Sequence, residues 1–359
     1  MKITFITSGL GLSGGNKAIF ELANCLTDRG HQVFVVCSLT PFIFQDKWFN
    51  PFNVLTKLLR IFKKSKGCGV FVKWFDLKAT VLSVPSLREK YIPDADIILS
   101  TWWETAYFVK KYSKQKGEKF YFVQDYEDWV SKTGRVRKSY QLGLKHIVNS
   151  SWLKKTLKKM AGTNVESIIL HAPDHKQFYP QKIKRKKGII RILMPYRDEA
   201  RKGTQEGLKI IELVQKKYPN IQLVLFGKRK PEHISRLLDK AEFHLCPVKD
   251  ELRKLYNSCD IFLYPSLKEG FGMPPMEAMA CCIPVVTTNA GAISEYTLPG
   301  KTALVSEPGD IKKMAKDIIG LIENPKKRKQ IACAGQKYIQ NFRWEKATKE
   351  LEAVFKKYL

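Results

Sequence analysis

The chain has 359 residues, of which 44% are hydrophobic and 27% charged, the composition of an ordinary globular protein. This length exceeds one typical hydrophobic core and predicts two α/β domains. No segment offers the roughly 18 apolar residues that span a bilayer, and the N-terminus lacks a signal-peptide pattern, so we expect a cytoplasmic protein. The net charge of +29 attracts polyanions: nucleic acid, anionic lipid or phosphorylated substrates.

Short β-branched runs alternate with amphipathic helical stretches, a pattern typical of βαβ units on a parallel sheet. In the first half, strands are predicted over 2–7, 32–38, 96–100, 119–124, 146–149 and 167–170. In the second half, they are predicted over 189–194, 222–226, 243–247, 261–264, 285–288 and 303–305. The Pro-led, charge-rich stretch 178–188 predicts a boundary near residue 185. The predicted domains are therefore 1–185 and 186–359, the second including an amphipathic terminal helix.

The first predicted strand leads into a glycine-rich loop, Gly9 to Gly14, with the GxGxxG spacing of a dinucleotide fingerprint. An NAD-dependent oxidoreductase would need an acidic residue at the end of the second strand, and this strand ends without a carboxylate. The loop can instead let a sugar or phosphate approach a helix N-terminus, with contacts expected at Gly14, Gly15 and Asn16. A turn without a ligand is the alternative for Gly9 and Gly11.

The segment from Pro265 to Ala280, PSLKEGFGMPPMEAMA, is the most informative stretch of the second half. It follows an apolar strand, so Glu269 is expected in a loop at a strand's carboxyl end, where open α/β sheets bind ligands. The prolines can start a helix, which places Glu277 in its first turn. The two carboxylates can accept hydrogen bonds from sugar hydroxyls, although Glu277 alone could simply complement the helix dipole.

This segment resembles the E-x7-E motif of the retaining family 4 glycosyltransferases, also called group 1. Their GT-B fold has two Rossmann-like domains facing each other across a cleft, with a C-terminal helix packing back toward the N-terminal domain. The resemblance extends to Gly9–His31 and to the tail Phe342-Arg343-Trp344-Glu345. Cys282, where relatives usually have glycine, departs from the pattern, as does the segment 170–174, where relatives usually read P-N-G-V-D.

The resemblance implies an activity and a set of site residues. The activity is retaining transfer of a hexosyl or deoxyhexosyl group from a nucleotide-diphosphate sugar to a cell-surface glycan or lipid-linked acceptor. Glu269 would contact the donor sugar, and Glu277 the ribose. Backbone contacts to the sugar would come from Gly270, Phe271, Gly272 and Met273.

A departing nucleoside diphosphate develops negative charge, so a site without a metal needs fixed cations. Arg197 and Lys202 follow a predicted strand in the family's R-x4-K-G spacing and are assigned to the diphosphate, with solvated surface cations as the alternative. The family's departing phosphate is pictured as taking the acceptor proton, so no enzymic nucleophile is required. Because the DxD run at 94–96 precedes a strand, we interpret it as structural, and we predict neither a metal nor a cofactor.

In the first domain, Asp125 follows a predicted strand and is a candidate for the acceptor or donor-sugar side, with loop capping as the alternative. The run QDYE at 124–127, together with WWETAY at 102–107, resembles polysaccharide rhamnosyltransferases.

The chain has eight scattered cysteines and no CxxC pair, which indicates free thiols in a reducing compartment.

Residues 53–66 predict a basic amphipathic helix, flanked by aromatic residues that include Trp74 and Phe75. Such a helix can lie on an anionic membrane surface, making the enzyme peripheral on the inner face of the cell membrane, or it can pack on the first domain.

The net charge leaves a nucleic-acid-binding protein as an alternative function. It is disfavoured because no known binding motif is present and residues 241–300 carry 4 basic against 7 acidic residues, so we predict no nucleic-acid partner.

Overall fold

The computed structural model describes residues 1–39, 72, 74–130, 133–183, 188–230 and 240–359. These residues form two compact units, one made of Met1–Leu170 with Trp344–Leu359 and the other of His171–Arg343. The helix predicted over 53–66 lies outside the described residues. Within the described ranges, no helix has the length and apolar character needed to cross a membrane.

The first unit is built on a seven-stranded parallel sheet. Its strands are β1 (Lys2–Thr7), β2 (Gln32–Ser38), β3 (Thr80–Val84), β4 (Ile97–Ser100), β5 (Glu118–Val123), β6 (Lys145–Val148) and β7 (Ser167–Ile168), in the order β3-β2-β1-β4-β5-β6-β7. Its first helices are α1 (Gly14–Asp28), α2 (Trp103–Lys111), α3 (Thr133–Ser139) and α4 (Ser151–Ala161). The strands are largely buried runs, as expected for a parallel sheet with its faces covered.

The second unit repeats this plan with a six-stranded parallel sheet. Its strands are β8 (Ile190–Pro195), β9 (Ile221–Gly227), β10 (Glu242–Leu245), β11 (Ile261–Tyr264), β12 (Val285–Thr288) and β13 (Leu304–Ser306), in the order β10-β9-β8-β11-β12-β13. Its helices are α5 (Thr204–Lys217), α6 (Lys249–Asn257), α7 (Met273–Ala280), α8 (Ile293–Tyr296), α9 (Ile311–Glu323) and α10 (Pro325–Ile339). Because β8 lies between β9 and β11, the loops after β8 and β11 leave neighbouring strands at one edge, where such sheets bind ligands.

All the predicted strands are present within a few residues of their expected bounds. Sequence analysis missed β3, which pairs with β2 at the edge of the first sheet. Of its five residues, only Val84 is fully buried. Its sequence TVLSV contains Thr80 and Ser83, so it lacks the continuous apolar run by which the central strands were recognised.

The division between the units falls at Leu170 and His171, ahead of the boundary predicted near residue 185. The intervening segment packs on the second unit. The ring of Phe178 lies 5.8 Å from that of Tyr256, and the Gln181 N–H donates to Asn257 Oδ1 at 2.7 Å. Because this stretch is rich in charged residues, its sequence did not indicate these contacts with the second unit.

The C-terminal helix α11 (Trp344–Lys356) packs in the first unit, which confirms the implied return of this helix and corrects its assignment to residues 186–359. Glu352 accepts from Arg29 Nε at 2.7 Å, and the buried ring of Phe355 lies 5.2 Å from that of Phe120. These partners lie far away along the chain, so the amphipathic pattern of the tail could not identify which sheet it covers.

Trp74 and Phe75, expected to flank a membrane-binding helix, pack against α1. Their rings lie 5.4 and 5.5 Å from the ring of the fully buried Phe20. The Trp74 Nε1–H also donates to the carbonyl of Leu10 at 2.9 Å. These two aromatic side chains therefore stabilise the first unit and its glycine-rich loop.

Candidate functional site

Two loops meet at the carboxyl edge of the second sheet. The loop after β8 contains a short 3-10 turn, Ala200–Lys202, and its Arg201 carbonyl accepts from the backbone N–H groups of Leu267 and Lys268 at 2.9 and 3.0 Å. At Gly203 (φ +68°), an added Cβ would lie 1.9 Å from the Pro265 carbonyl oxygen. Only glycine allows this approach, so the R-x4-K-G and EGFG segments form one packed structure.

Glu269 is the centre of this structure and is only 6% exposed. Its Oε2 accepts from the Lys202 ammonium at 2.8 Å, while its Oε1 accepts from the hydroxyls of Tyr264 at 2.6 Å and Ser266 at 2.7 Å. Burial opposes ionisation, but Lys202 and the two hydroxyls outweigh it and lower the pKa of Glu269. The carboxylate is therefore ionised at neutral pH, and the stability that the ion pair contributes is lost as the pH falls below the usual range of a glutamate.

A carboxylate offers about four lone-pair sites, and these three donors leave room for one more. The side chain can therefore accept one hydroxyl of a ligand while staying fixed by the protein. The sequence indicated that this carboxylate accepts from sugar hydroxyls, and the three protein donors leave it one position for such a hydroxyl.

The loop that follows Glu269 is fixed from behind. At Gly291 (φ +61°), an added Cβ would lie 2.0 Å from the Glu269 carbonyl oxygen, and the Ala292 N–H donates to the Gly270 carbonyl at 3.2 Å. The Tyr296 hydroxyl donates to the Gly272 carbonyl at 2.6 Å. These contacts hold the Gly270–Gly272 backbone in a single conformation.

Phe271 packs its side chain into the second unit. The ring is buried and lies 4.5 Å from the ring of His171 and 5.5 Å from that of Tyr296. Burial lowers the pKa of His171 to about 3, so this ring partner is neutral. Phe271 can thus offer a ligand only its backbone, which is the kind of contact that the resemblance implied.

Arg197 follows β8 beside the same loops. Its backbone N–H donates to the Thr204 hydroxyl at 3.1 Å, and its guanidinium donates to the Tyr196 carbonyl at 2.9 Å. Burial and Glu269 raise the pKa of Tyr264, and the charge of Arg197 acts in the opposite direction. The guanidinium is thus close enough to influence the hydroxyl that binds Glu269.

A second cation, Lys228, lies near Arg197. Burial, followed by the charge of Arg197, lowers the pKa of Lys228, so positive charge is concentrated here.

Helix α7 begins at Met273 because Gly272 adopts the left-handed conformation (φ +79°) at the N-cap. Glu277 therefore lies in the second turn, and the first-turn position predicted from the prolines was wrong. It is also 5% exposed rather than a surface group, and its Oε2 accepts from the Tyr256 hydroxyl at 3.0 Å. Met273 is buried at the start of the helix.

In the first unit, α1 starts at Gly14. The Ser13 hydroxyl caps the helix by accepting from the Asn16 N–H at 3.1 Å, and the Asn16 side-chain amide donates to the Gly11 carbonyl at 2.7 Å. An added Cβ at Gly15 would lie 3.5 Å from the side chain of Gln124, at the end of β5. Asn16 thus closes the glycine-rich loop, and the loop packs beside the end of β5.

Asp125 follows β5 and is half-buried. It lies near the buried carboxyl of Glu127, whose pKa is raised first by burial and then by the charge of Asp125.

The two aspartates of the DxD run bind groups of the first unit. Asp96 accepts from the Lys2 N–H at 2.7 Å, and Asp94 accepts from the Lys116 ammonium at 2.7 Å. Across the described parts of the chain, no three His, Cys, Asp or Glu residues group as metal ligands.

The residues that fix the two glutamates were not predicted from the sequence. Tyr264 and Ser266 lie just before Glu269 in the chain, and their polar groups at the end of an apolar strand were a usable signal. Tyr256 and Gly291 lie in other elements, so their contacts with this site required the tertiary structure.

Comparison with known proteins identifies the second unit. Residues 175–338 match the family described as glycosyl transferases group 1, and this range contains Arg197, Lys202 and both glutamates. The second unit is a group 1 glycosyltransferase domain. The segment Pro265–Ala280, on which the resemblance rested, lies within the matched range.

Two proteins of named function are similar in sequence to parts of this chain. The capsular polysaccharide biosynthesis glycosyltransferase CapM of Staphylococcus aureus is 28% identical over 169 residues, covering 44% of this chain and 43% of CapM. O-antigen chain mannosyltransferase B of Escherichia coli is 32% identical over 107 residues, covering 30% of this chain and 28% of that protein. The chain thus aligns with less than half the length of either relative.

Solved structures match the fold over nearly the whole chain. HepE of Anabaena, solved with UDP-glucose, has a TM-score of 0.74 at 18% identity, covering 99% of this chain and 100% of HepE. Sucrose-phosphate synthase of Thermosynechococcus elongatus has a TM-score of 0.74 at 17% identity, covering 99% and 98% of the two chains. These matches confirm the predicted α/β fold with two Rossmann-like domains of the GT-B class.

Proposed function

We propose that the protein is a retaining, metal-independent glycosyltransferase that moves a hexosyl or deoxyhexosyl group from a nucleotide-diphosphate sugar to a glycan or lipid-linked acceptor. The observation that carries this proposal is the buried Lys202–Glu269 ion pair at the carboxyl edge of the second sheet. A carboxylate with one remaining acceptor position suits a sugar hydroxyl, and a fixed ammonium beside it suits a phosphate.

In the proposed reaction, the bond between the sugar and the diphosphate breaks while the acceptor hydroxyl forms the new glycosidic bond on the same face. Arg197 and Lys202 stabilise the charge that develops on the departing diphosphate, and the phosphate takes the acceptor proton. Glu269 orients the sugar, together with the backbone of the loop after it. Asp125 is proposed to contact the acceptor or the donor sugar, and Gly14, Gly15 and Asn16 are proposed to contact the donor.

The experiment that tests the function is a donor screen. UDP-, GDP-, ADP- and dTDP-sugars are added to the protein, and the donor that binds the native state raises the melting temperature by mass action. The sugar released or transferred is then followed by proton NMR, and its first-formed anomer should match that of the donor. Activity should persist in EDTA. An inverted product or a requirement for a divalent ion would overturn the retaining, metal-independent mechanism.

Glu277 is proposed to bind the ribose, and Glu277→Gln should weaken donor binding about 10- to 100-fold. The amide oxygen can still accept from the Tyr256 hydroxyl, but the charged acceptor is lost, and a hydrogen bond to a charged group contributes about 1.5–3 kcal/mol. Isothermal titration with the donor found in the screen measures the change. Glu307→Gln, at an exposed position of the same unit, is the control and should bind normally. Equal affinities would place the ribose elsewhere.

The acceptor is proposed to be presented at an anionic membrane surface. The support is the net charge of +29, the basic helix predicted over 53–66, and the polysaccharide pathways named for CapM and the O-antigen mannosyltransferase. The protein should co-sediment with vesicles that contain anionic lipid, less so at high salt, and less after Lys57, Lys63 and Lys64 are changed to Glu. Equal binding to neutral vesicles would contradict this proposal.

A further inference from the structure

Cys282 occupies an unusual backbone position. It follows the C-cap of α7 with φ +59°, in the left-handed region that glycine normally fills at helix ends. The Ile283 N–H donates back to the Ala278 carbonyl at 3.0 Å and the Cys282 N–H to the Met279 carbonyl at 2.9 Å, so the helix end is fully formed. A cysteine is therefore held where backbone geometry favours glycine.

The side chain of Cys282 faces a second cysteine. Its Sγ lies 3.9 Å from the Sγ of Cys333 on α10, 51 positions away in the sequence. Cys333 is exposed and Cys282 partly exposed, so small reagents can reach the pair from solvent. Both cysteines remain thiols in the structure.

The elements around these cysteines are packed closely. At Gly335, two residues beyond Cys333 on α10, an added Cβ would lie 2.7 Å from the Thr302 carbonyl oxygen and 3.5 Å from the side chain of Met279 on α7. Close packing of this kind restricts the movement of α10 relative to Thr302 and α7. Cys282, at the hydrogen-bonded end of α7, therefore faces a cysteine on a closely packed helix.

We propose that Cys282 and Cys333 form a reversible dithiol–disulfide site that reacts with small-molecule disulfides. The thiolate of the more exposed Cys333 attacks the external disulfide, forms a mixed disulfide and releases one thiol. The sulfur of Cys282 gives up its proton to solvent and attacks Cys333 Sγ, releasing the second thiol. The balance is one protein dithiol and one external disulfide giving one protein disulfide and two small thiols.

The order of attack follows from the surroundings of the two sulfurs. Burial, followed by the neighbouring Cys333, raises the pKa of the Cys282 thiol to about 11, while the nearby Lys329 acts in the opposite direction. Cys282 is therefore largely protonated at neutral pH, and since the thiolate is the reactive species, the more exposed Cys333 is placed as the first nucleophile. Its position 3.9 Å away suits the second, intramolecular step.

The test is to incubate the reduced protein with excess oxidised glutathione and to count thiols with Ellman's reagent under denaturing conditions. Peptide mapping should find a linked pair of peptides, 269–301 with 330–337, in monomeric protein, and dithiothreitol should reverse the link. Cys282→Gly and Cys333→Ser should each abolish the linked peptides. Cys282→Gly should fold normally because glycine suits this backbone conformation.

Cys246→Ser is the matched control, because Cys246 is an exposed cysteine with positive φ in the same unit. This variant should form the 282–333 link at the parent rate. Mixed glutathione adducts at Cys333 that never resolve, or a link that persists in Cys282→Gly, would overturn the proposal. The measurement needs no sugar donor, so failure of the proposed enzymic function would not affect it.

Discussion

Lys202→Met should lower the turnover of the transferase about 100-fold or more. The substitution removes a cation proposed to face the diphosphate, and loss of one charge-stabilising group commonly has an effect of about this size. It also leaves Glu269 buried without its ion partner. Breaking such a pair costs about 3–5 kcal/mol when it is fully buried, and the 18% exposure of the Lys202 side chain points to the lower end of that range.

A double-mutant cycle separates the catalytic from the structural effect. Glu269→Gln in the Lys202→Met background removes the unpaired charge, so the double variant should recover much of the lost stability in urea denaturation but none of the turnover. Lys268→Met, which removes an exposed cation from the same loop, should retain near-parent turnover. If Lys202→Met turned over its donor at the parent rate, the assignment of Lys202 to the diphosphate would be wrong.

Gly291→Ala should lower turnover more than tenfold with donor and acceptor both saturating. The new Cβ would lie 2.0 Å from the Glu269 carbonyl oxygen and 3.0 Å from that of Gly270, so the loop that positions the sugar must move. Small displacements of positioning groups are enough to cost one to two orders of magnitude in rate. Steady-state kinetics with the identified donor measures the loss.

Gly309→Ala provides a control for backbone strain. Gly309 also has positive φ (+85°), but an added Cβ would meet nothing within 4 Å. Both variants therefore bear a left-handed penalty of about 1–2 kcal/mol, and only Gly291→Ala adds the collision with the Glu269 loop. Similar kinetics for the two variants would mean that the loop adapts and that Gly291 matters for stability alone.

Much of the fold could be predicted because buried parallel strands carry a local signal. The runs at 261–264 and 285–288 are rich in β-branched and aromatic residues and bounded by turn residues, and their observed limits match the prediction. The amphipathic pattern of α11 fits either sheet, so only the family resemblance implied that this helix returns to the first domain. The contacts of Glu352 with Arg29 and of Phe355 with Phe120 decide it, and both are long-range.

The sequence predicted which glycines and charged residues form the site, but it did not predict all of their contacts. The spacing of Arg197, Lys202 and Glu269 indicated a charged site, and the structure pairs Lys202 with Glu269 directly. Glu277 was predicted in the wrong turn because the helix begins at Met273, after the Gly272 N-cap and one residue before the prolines. Its burial against Tyr256 also depends on a helix distant in sequence.

The membership of α11 in the first unit has a consequence for the order of folding during synthesis. The second unit is one continuous stretch, His171–Arg343, whereas the first needs Trp344–Leu359, which the ribosome adds only after the whole second unit. The buried ring of Phe355 is missing from the first unit's core until then. Domains usually fold N-terminal first as they emerge, but here the second unit can complete its core while the first still waits for its last helix.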